Sequence, residues 1–149
     1  MSRKLDEVSI QNVYDEVRDD DISTTWFILR YADNGMIKVD STGTDLEDAF
    51  ARITCNDEDR AYAYVRFETG DEMSKRAKFA FITWIGERVK PLARAKVSTD
   101  KAFVKDIVSE FAVEILTSDH EEVTFDAIKS QIDKAGGANY GIGKQVNSV

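Results

Sequence analysis

The sequence has one cysteine, one histidine and one proline in 149 residues. Nowhere does it carry an apolar run of the roughly 18–20 residues that a bilayer-crossing helix needs. With Cys55 alone, an intramolecular disulfide is impossible. Cysteine and histidine together are too few for structural zinc, which takes about four such ligands. A carboxylate-only magnesium or calcium site stays open on composition, but Asp19-Asp20-Asp21 lacks the alternate spacing and turn glycine of a calcium loop. The N-terminus, Met1-Ser2-Arg3-Lys4-Leu5-Asp6-Glu7, has no apolar signal core, and no Asn-x-Ser/Thr acceptor occurs. With the lone cysteine, these features predict a cytoplasmic, reducing location. Internal repeats and low-complexity linkers are also missing.

What remains is an ordinary globular composition, 42% hydrophobic and 32% charged. A single domain of this size buries about 68–70% of its unfolded surface. The net charge of −8 argues against nucleic acid as a general partner. Residues 75–105 reverse that sign: Lys75, Arg76, Lys78, Arg88, Lys90, Arg94, Lys96, Lys101 and Lys105 stand against only Glu87 and Asp100. An acidic chain with one basic strip stays soluble and aims one surface at an anionic partner.

Hydrophobic spacing predicts the elements. Leu5, Val8, Val13, Tyr14 and Val17 mark a helix over 5–18, and Thr24–Tyr31 is β-branched and aromatic, a strand. Asp33-Asn34-Gly35 is a hairpin turn, and 36–40 returns as a strand. Thr44-Asp45-Leu46-Glu47 reads as a capping box for a helix with Leu46, Phe50 and Ile53 on one face. Residues 60–69 form a third strand, with Ala61, Ala63, Val65 and Phe67 opposite Tyr62, Tyr64, Arg66 and Glu68. Residues 77–85 form a fourth, apolar enough to be covered on both faces. Pro91 opens a long helix that the spacing of Phe103, Val104, Ile107, Val108, Phe111, Ala112 and Ile115 carries to about 115. A short fifth strand begins near Ile115-Leu116-Thr117. Ser118-Asp119-His120-Glu121 reads as a second capping box, and its helix, with Phe125, Ile128, Ile132 and Ala135 on one face, stops at Gly136-Gly137. The fold class is α/β of the α+β type: one domain over residues 1–140, a mixed sheet of about five strands with helices on both faces, and a loose tail over 141–149. Trp26 and Trp84 belong to the core.

Catalytic patterns do not survive inspection. Ser118, Asp119 and His120 have the residue types of a hydrolytic triad, but triad members usually converge from distant segments. Gly141-Ile142-Gly143-Lys144 has Ala138 where a phosphate loop needs glycine, and Gln145 where it needs Ser/Thr. Cys55 lies beside Asn56, Asp57 and Glu58, whose acids disfavour a thiolate, and reads as a half-buried packing residue. The expectation is a non-enzymatic protein with no cofactor and no metal.

The run from Val65 to Gly86, VRFETGDEMSKRAKFAFITWIG, resembles the coactosins. So do Arg94-Ala95-Lys96, Thr99-Asp100-Lys101, the stretch Lys134–Tyr140, and Arg18-Asp19-Asp20 followed by Trp26. The likeness spans roughly residues 5–140. Coactosins share the actin-depolymerising-factor homology fold with cofilins and twinfilins, a mixed sheet flanked by helices. The resemblance implies binding to filamentous actin, in the cytoskeleton, through two surfaces. One is the loop before the fourth strand, with Lys75, Arg76 and Lys78. The other is the following helix, Pro91 to Lys101, with Arg94, Lys96 and Lys101. Arg76 and Lys78 are taken to differ in register, so that one of them points away. Cofilins carry further basic residues where this chain has Ala93 and Ala95, which implies weak or no severing. The alternative is a cofilin-like protein that also binds monomeric actin and promotes disassembly. Phosphoinositides are a further candidate partner for the same strip. A regulatory serine near the start would be Ser2, although Arg3-Lys4-Leu5 does not match the cofilin pattern. A monomer is expected.

Overall fold

The computed structural model describes residues 4–70 and 73–141. Ser2 and the tail beyond Gly141, with the phosphate-loop look-alike, therefore lie outside the described residues. Asp6 accepts from Ser9 N at 3.5 Å and opens α1 (Glu7–Arg18), which buries Ile10, Tyr14 and Val17. Strands β1 (Trp26–Tyr31) and β2 (Ile37–Gly43) form the expected hairpin, with Gly35 at φ +86° in its turn. Helix α2 (Leu46–Ile53) is capped by Asp45, which accepts from Glu47 N at 3.2 Å, and not by Thr44. The Thr44 carbonyl is occupied instead by Thr25 Oγ1 at 2.9 Å. Strands β3 (Arg60–Thr69) and β4 (Arg76–Ile85) follow, then α3 (Pro91–Ile107) with Pro91 in its first turn.

Past α3 the sequence expectations need correction. The 3–4 spacing continues to Ile115, yet the helix ends at Ile107 and residues 113–117 form β5 (Val113–Thr117), parallel to β4. The outer edge of β4 supplies the reason. Its N–H and C=O groups from Ala80 to Trp84 sit in the core and require a ladder partner, which outweighs local helical preference. Asp119 caps only a one-turn 3-10 helix, His120–Glu122, accepting from Glu121 N at 2.9 Å. Val123 turns inward, and α4 (Phe125–Gly141) starts anew with Thr124 Oγ1 accepting from Ala127 N at 3.2 Å. Gly136 does not stop α4: a helix-ending glycine takes positive φ, and Gly136 does not.

The sheet order is β2-β1-β3-β4-β5, antiparallel except for β4–β5. Its two faces carry separate cores. Ala61, Ala63, Val65 and Phe67 of β3 pack with Phe50 and Ile53 of α2 and Ile128 and Ile132 of α4. Tyr62 and Tyr64 point the other way, to Tyr14 and Val17 of α1 and Val97 and Val104 of α3. Trp26 and Trp84 are both buried in the α2/α4 core. Alternation along β3 thus assigns each helix to a face.

Polar atoms on β3 fix the α1/α3 layer in place. Tyr62 OH donates to Val97 O at 2.6 Å and Tyr64 OH donates to Glu110 O at 2.5 Å. The buried Arg66 guanidinium donates to Val17 O and Glu68, both at 2.9 Å, and pairs with Asp20. It thereby satisfies a carbonyl in the last turn of α1, where a cation is favoured. Tyr62→Phe removes one of these ties without opening a cavity. Urea unfolding of that variant should show stability lower by about 1 kcal/mol, with the denaturant slope unchanged.

Candidate functional site

The basic strip is divided by the fold. At one end of the sheet lies the β3–β4 connection. Gly70 holds φ +90° there, and a Cβ would come within 2.2 Å of Ser74 O, so only glycine lets the loop close this tightly. Lys75 follows, exposed, immediately before β4. Arg76 and Lys78 lie within β4, opposite Thr69 and Phe67. Being two residues apart on one strand, they share a face with Ala80, Ile82 and Trp84, the α2/α4 side. The expectation that one of them points away is therefore wrong. Phe125, at the start of α4, packs 5.4 Å from Phe67 on that side and is partly exposed. Among the described residues, Lys75, Arg76 and Lys78 have no ion-pair partner.

The helix half of the strip lies on the opposite face and begins at the other end. Ten residues of β4 at about 3.3 Å each separate the ends by about 30 Å. Arg94 donates through Nη2 to Gly86 O at 3.0 Å and to Glu87 O at 3.5 Å, and through Nη1 to Ser118 Oγ at 3.5 Å. It holds the start of α3 to the loops after β4 and β5. Ser118 is thus an acceptor for Arg94 and not a helix cap. Lys96 Nζ lies 3.0 Å from Asp100 Oδ2. Lys101 pairs with Glu114 Oε2 at 3.1 Å, and Lys105 with Glu114 Oε1 at 2.7 Å. Ala93 packs against the α1/α3 core, while Ala95 is exposed. Leu92 stands 86% exposed at the start of the helix, and Arg88 and Lys90 beside it are exposed too.

Two acids that look incidental in the sequence organise this half. Asp100 is 1% exposed. Its Oδ2 accepts from Tyr31 OH at 2.8 Å, and Lys4 Nζ stands 3.5 Å from Oδ1. Burial alone would raise its pKa; the bonds from Tyr31 and Lys96 and the charges of Lys96 and Lys4 outweigh that and hold the carboxyl below its ordinary range. Glu114 shows the same balance. Burial pushes it up, Lys105 and Lys101 pull it down further, and the net shift is downward. Lys4, Tyr31 and Glu114 had no signal in the sequence, because each acts through a neighbour brought from another element. Burial likewise pushes the Tyr31 hydroxyl up to about 12, so it remains a donor to Asp100.

The remaining candidates are dispersed. His120 Nε2 lies 3.0 Å from Asp57 Oδ1 and its ring meets Trp84 edge-on, while Asp119 caps and Ser118 serves Arg94, so these three do not form a relay. Cys55 is exposed, contrary to the half-buried expectation: Ile53 is the last buried residue of α2, and the chain after it runs along the surface. Among the described residues, no group of three His, Cys, Asp or Glu side chains is placed to hold a metal ion. Nor is any helix there long and apolar enough to cross a membrane.

Known proteins share this fold. The model of the cofilin/tropomyosin-type actin-binding protein family matches residues 3–133. The coactosin-like protein of Bos taurus is 46% identical over 140 residues, covering 94% of this chain and 96% of its own. The crystal structure of human coactosin-like protein superposes with a TM-score of 0.82 at 43% identity, covering 89% of this chain and 99% of that one. The solution structure of mouse coactosin, described as an actin filament binding protein, gives a TM-score of 0.75 at 44% identity over 97% of this chain and 100% of that one.

Asp100 yields a pH prediction. Its folded pKa lies below the ordinary value, so the stability it contributes is present above about pH 4 and is lost as pH falls through the lower, folded value. Asp100→Asn should therefore unfold more readily by about 1–3 kcal/mol at pH 7. Thermal melts across a pH series should show the gap to the parent closing below roughly pH 3.

Proposed function

The chain belongs to the cofilin/tropomyosin-type actin-binding family, and from that premise we propose that it binds along the sides of actin filaments through the β3–β4 loop, with Lys75 as the main contact and Arg76 and Lys78 beside it. One observation carries this reading: these three cations have no ionic partner among the described residues, whereas Lys96, Lys101 and Lys105 each lie against a carboxylate. A free cation gives its whole charge to an acidic partner, and a paired one must first leave its counter-ion. Arg94 acts in this reading as a brace that sets where α3 begins, and the exposed Leu92 gives that end of the helix an apolar contact. The two contact regions sit at opposite ends of the sheet, an arrangement suited to a large, extended partner surface.

The weak or absent severing that Ala93 and Ala95 imply has a physical rationale at one position. Ala93 packs against the core, so a long basic side chain there would have to leave it, and only position 95 is open to the partner. The proposed action is filament side binding that modulates cytoskeletal dynamics, with little disassembly.

Co-sedimentation with actin filaments tests the loop assignment. Lys75→Ala should weaken binding roughly tenfold, about 1.4 kcal/mol, while the melting temperature stays at the parent value, because an exposed lysine buries little. Binding by the parent should fall clearly from low to physiological salt, where charges are screened over about 8 Å. A Lys75→Ala variant that pellets as well as the parent would remove the loop from the interface.

A further inference from the structure

Lys101 and Lys105 are one turn apart on α3, and both reach toward β5. Glu114 rises from β5 on the α1/α3 side, beside Phe81 in the ladder. Lys105 Nζ donates to Oε1 at 2.7 Å, and Lys101 Nζ forms an ion pair with Oε2 at 3.1 Å. Glu114 and Lys101 side chains are only 25% exposed, and Lys105 36%. Solvent screening is weaker in such a half-buried cluster than at an open surface pair. Lys105 is steadied further by the Phe111 ring, 5.5 Å from its ammonium.

This geometry does more than fasten a helix to a strand. Two like charges one turn apart repel each other unless an opposite charge lies between them. With Glu114 ionised, the three groups sum to a single positive charge, held inward. Without it, two cations would face each other and swing toward solvent, adding to the charge that Lys75 and Arg76 expose.

We propose that Glu114 is a positioning residue that sets partner specificity: it keeps Lys101 and Lys105 as its own counter-ions, withdraws the carboxy-terminal half of α3 from the cationic surface, and leaves the β3–β4 loop as the contact an acidic partner must use. The proposal rests on the filament-binding reading for the identity of that partner. It makes Lys101 a withheld charge, in contrast to the contact that the basic strip suggests. Glu114 thus governs how much of the nine-cation strip is offered to a partner.

The test uses the full chain as parent, Glu114→Gln, Glu114→Asp, Lys75→Ala and the Lys75→Ala/Glu114→Gln double variant. Acetylation by an N-hydroxysuccinimide ester, followed by peptide mass spectrometry, reports lysine availability without any partner. In the parent, Lys101 and Lys105 should react several-fold more slowly than Lys75. In Glu114→Gln they should approach the Lys75 rate while Lys96, held by Asp100, stays slow. Unchanged rates overturn the proposal whether or not the protein binds filaments. Filament co-sedimentation over a salt series reports the consequence. Glu114→Gln should bind several-fold more tightly at low salt, with a steeper salt dependence, and should restore part of the binding that Lys75→Ala loses. Glu114→Asp should stay close to the parent, which a role in mere shape would not predict. Equal affinity and equal salt dependence for Glu114→Gln and parent overturn the specificity role. If Glu114→Gln does not fold, Lys101→Gln combined with Lys105→Gln decides the matter: binding within about twofold of the parent supports the proposal, and a larger loss overturns it. A parent that fails to pellet at all refutes the filament reading, and the acetylation result then judges the clamp alone.

Discussion

Strand β3 is buried on both faces, and that constraint shapes the molecule. From Ala61 to Phe67 its side chains are almost wholly inaccessible, with two alanines, Val65 and Phe67 toward α2 and α4 and tyrosines toward α1 and α3. A strand covered on both sides needs two layers of helix and neighbours on both edges. Its tyrosines then carry hydroxyl groups into the α1/α3 layer, where a buried donor must find an acceptor. Val97 O and Glu110 O provide them, and so the helix that follows β4 is located by hydrogen bonds from β3 as well as by its own apolar stripe. Arg66 does the same for the end of α1.

The two-layer plan also decides what the basic strip can do. The sheet separates Arg76 and Lys78 from the cations of α3, and the length of β4 separates Lys75 from Arg94. Each cation on α3 that the strip suggested for binding then meets a partner supplied by the fold. Arg94 serves three oxygens, Lys96 shares Asp100 with Lys4 and Tyr31, and Lys101 shares Glu114 with Lys105. Charge counted along a sequence measures what could be offered. Charge left unpaired after folding measures what is offered, and among the described residues of the strip it lies at Lys75, Arg76 and Lys78 at one end and at Arg88 and Lys90 at the other.

Much of the fold was legible because it depends on local signals. Strand β3 has the expected boundaries, α2 carries Leu46, Phe50 and Ile53 as expected, and Asn34-Gly35 turns where its chemistry demands. The errors cluster where a distant element overrode a local pattern. Ile115 continues the α3 spacing but lies in β5, because the edge of β4 needed a ladder. Ser118 heads a plausible capping box but is claimed by Arg94 from another element. The site followed the same rule. The exposure of Lys75 in its loop was legible in the sequence, whereas Lys4, Tyr31 and Glu114 gave no sign, since their relevance lies in which charge they face.

By itself the sequence determined the order of elements, the two faces of β3, the two-sided burial of β4, the family likeness and the existence of a cationic region on an acidic chain. All of these are carried by residue type and spacing along one segment. Only the tertiary structure decided that the helix stops at Ile107, that Arg76 and Lys78 share a face, and that the α3 lysines are held by Asp100 and Glu114. Coulombic pairing depends on distance in space, and Glu114 comes within 3.1 Å of Lys101 only because β5 folds back beside β4, thirteen positions further along the chain.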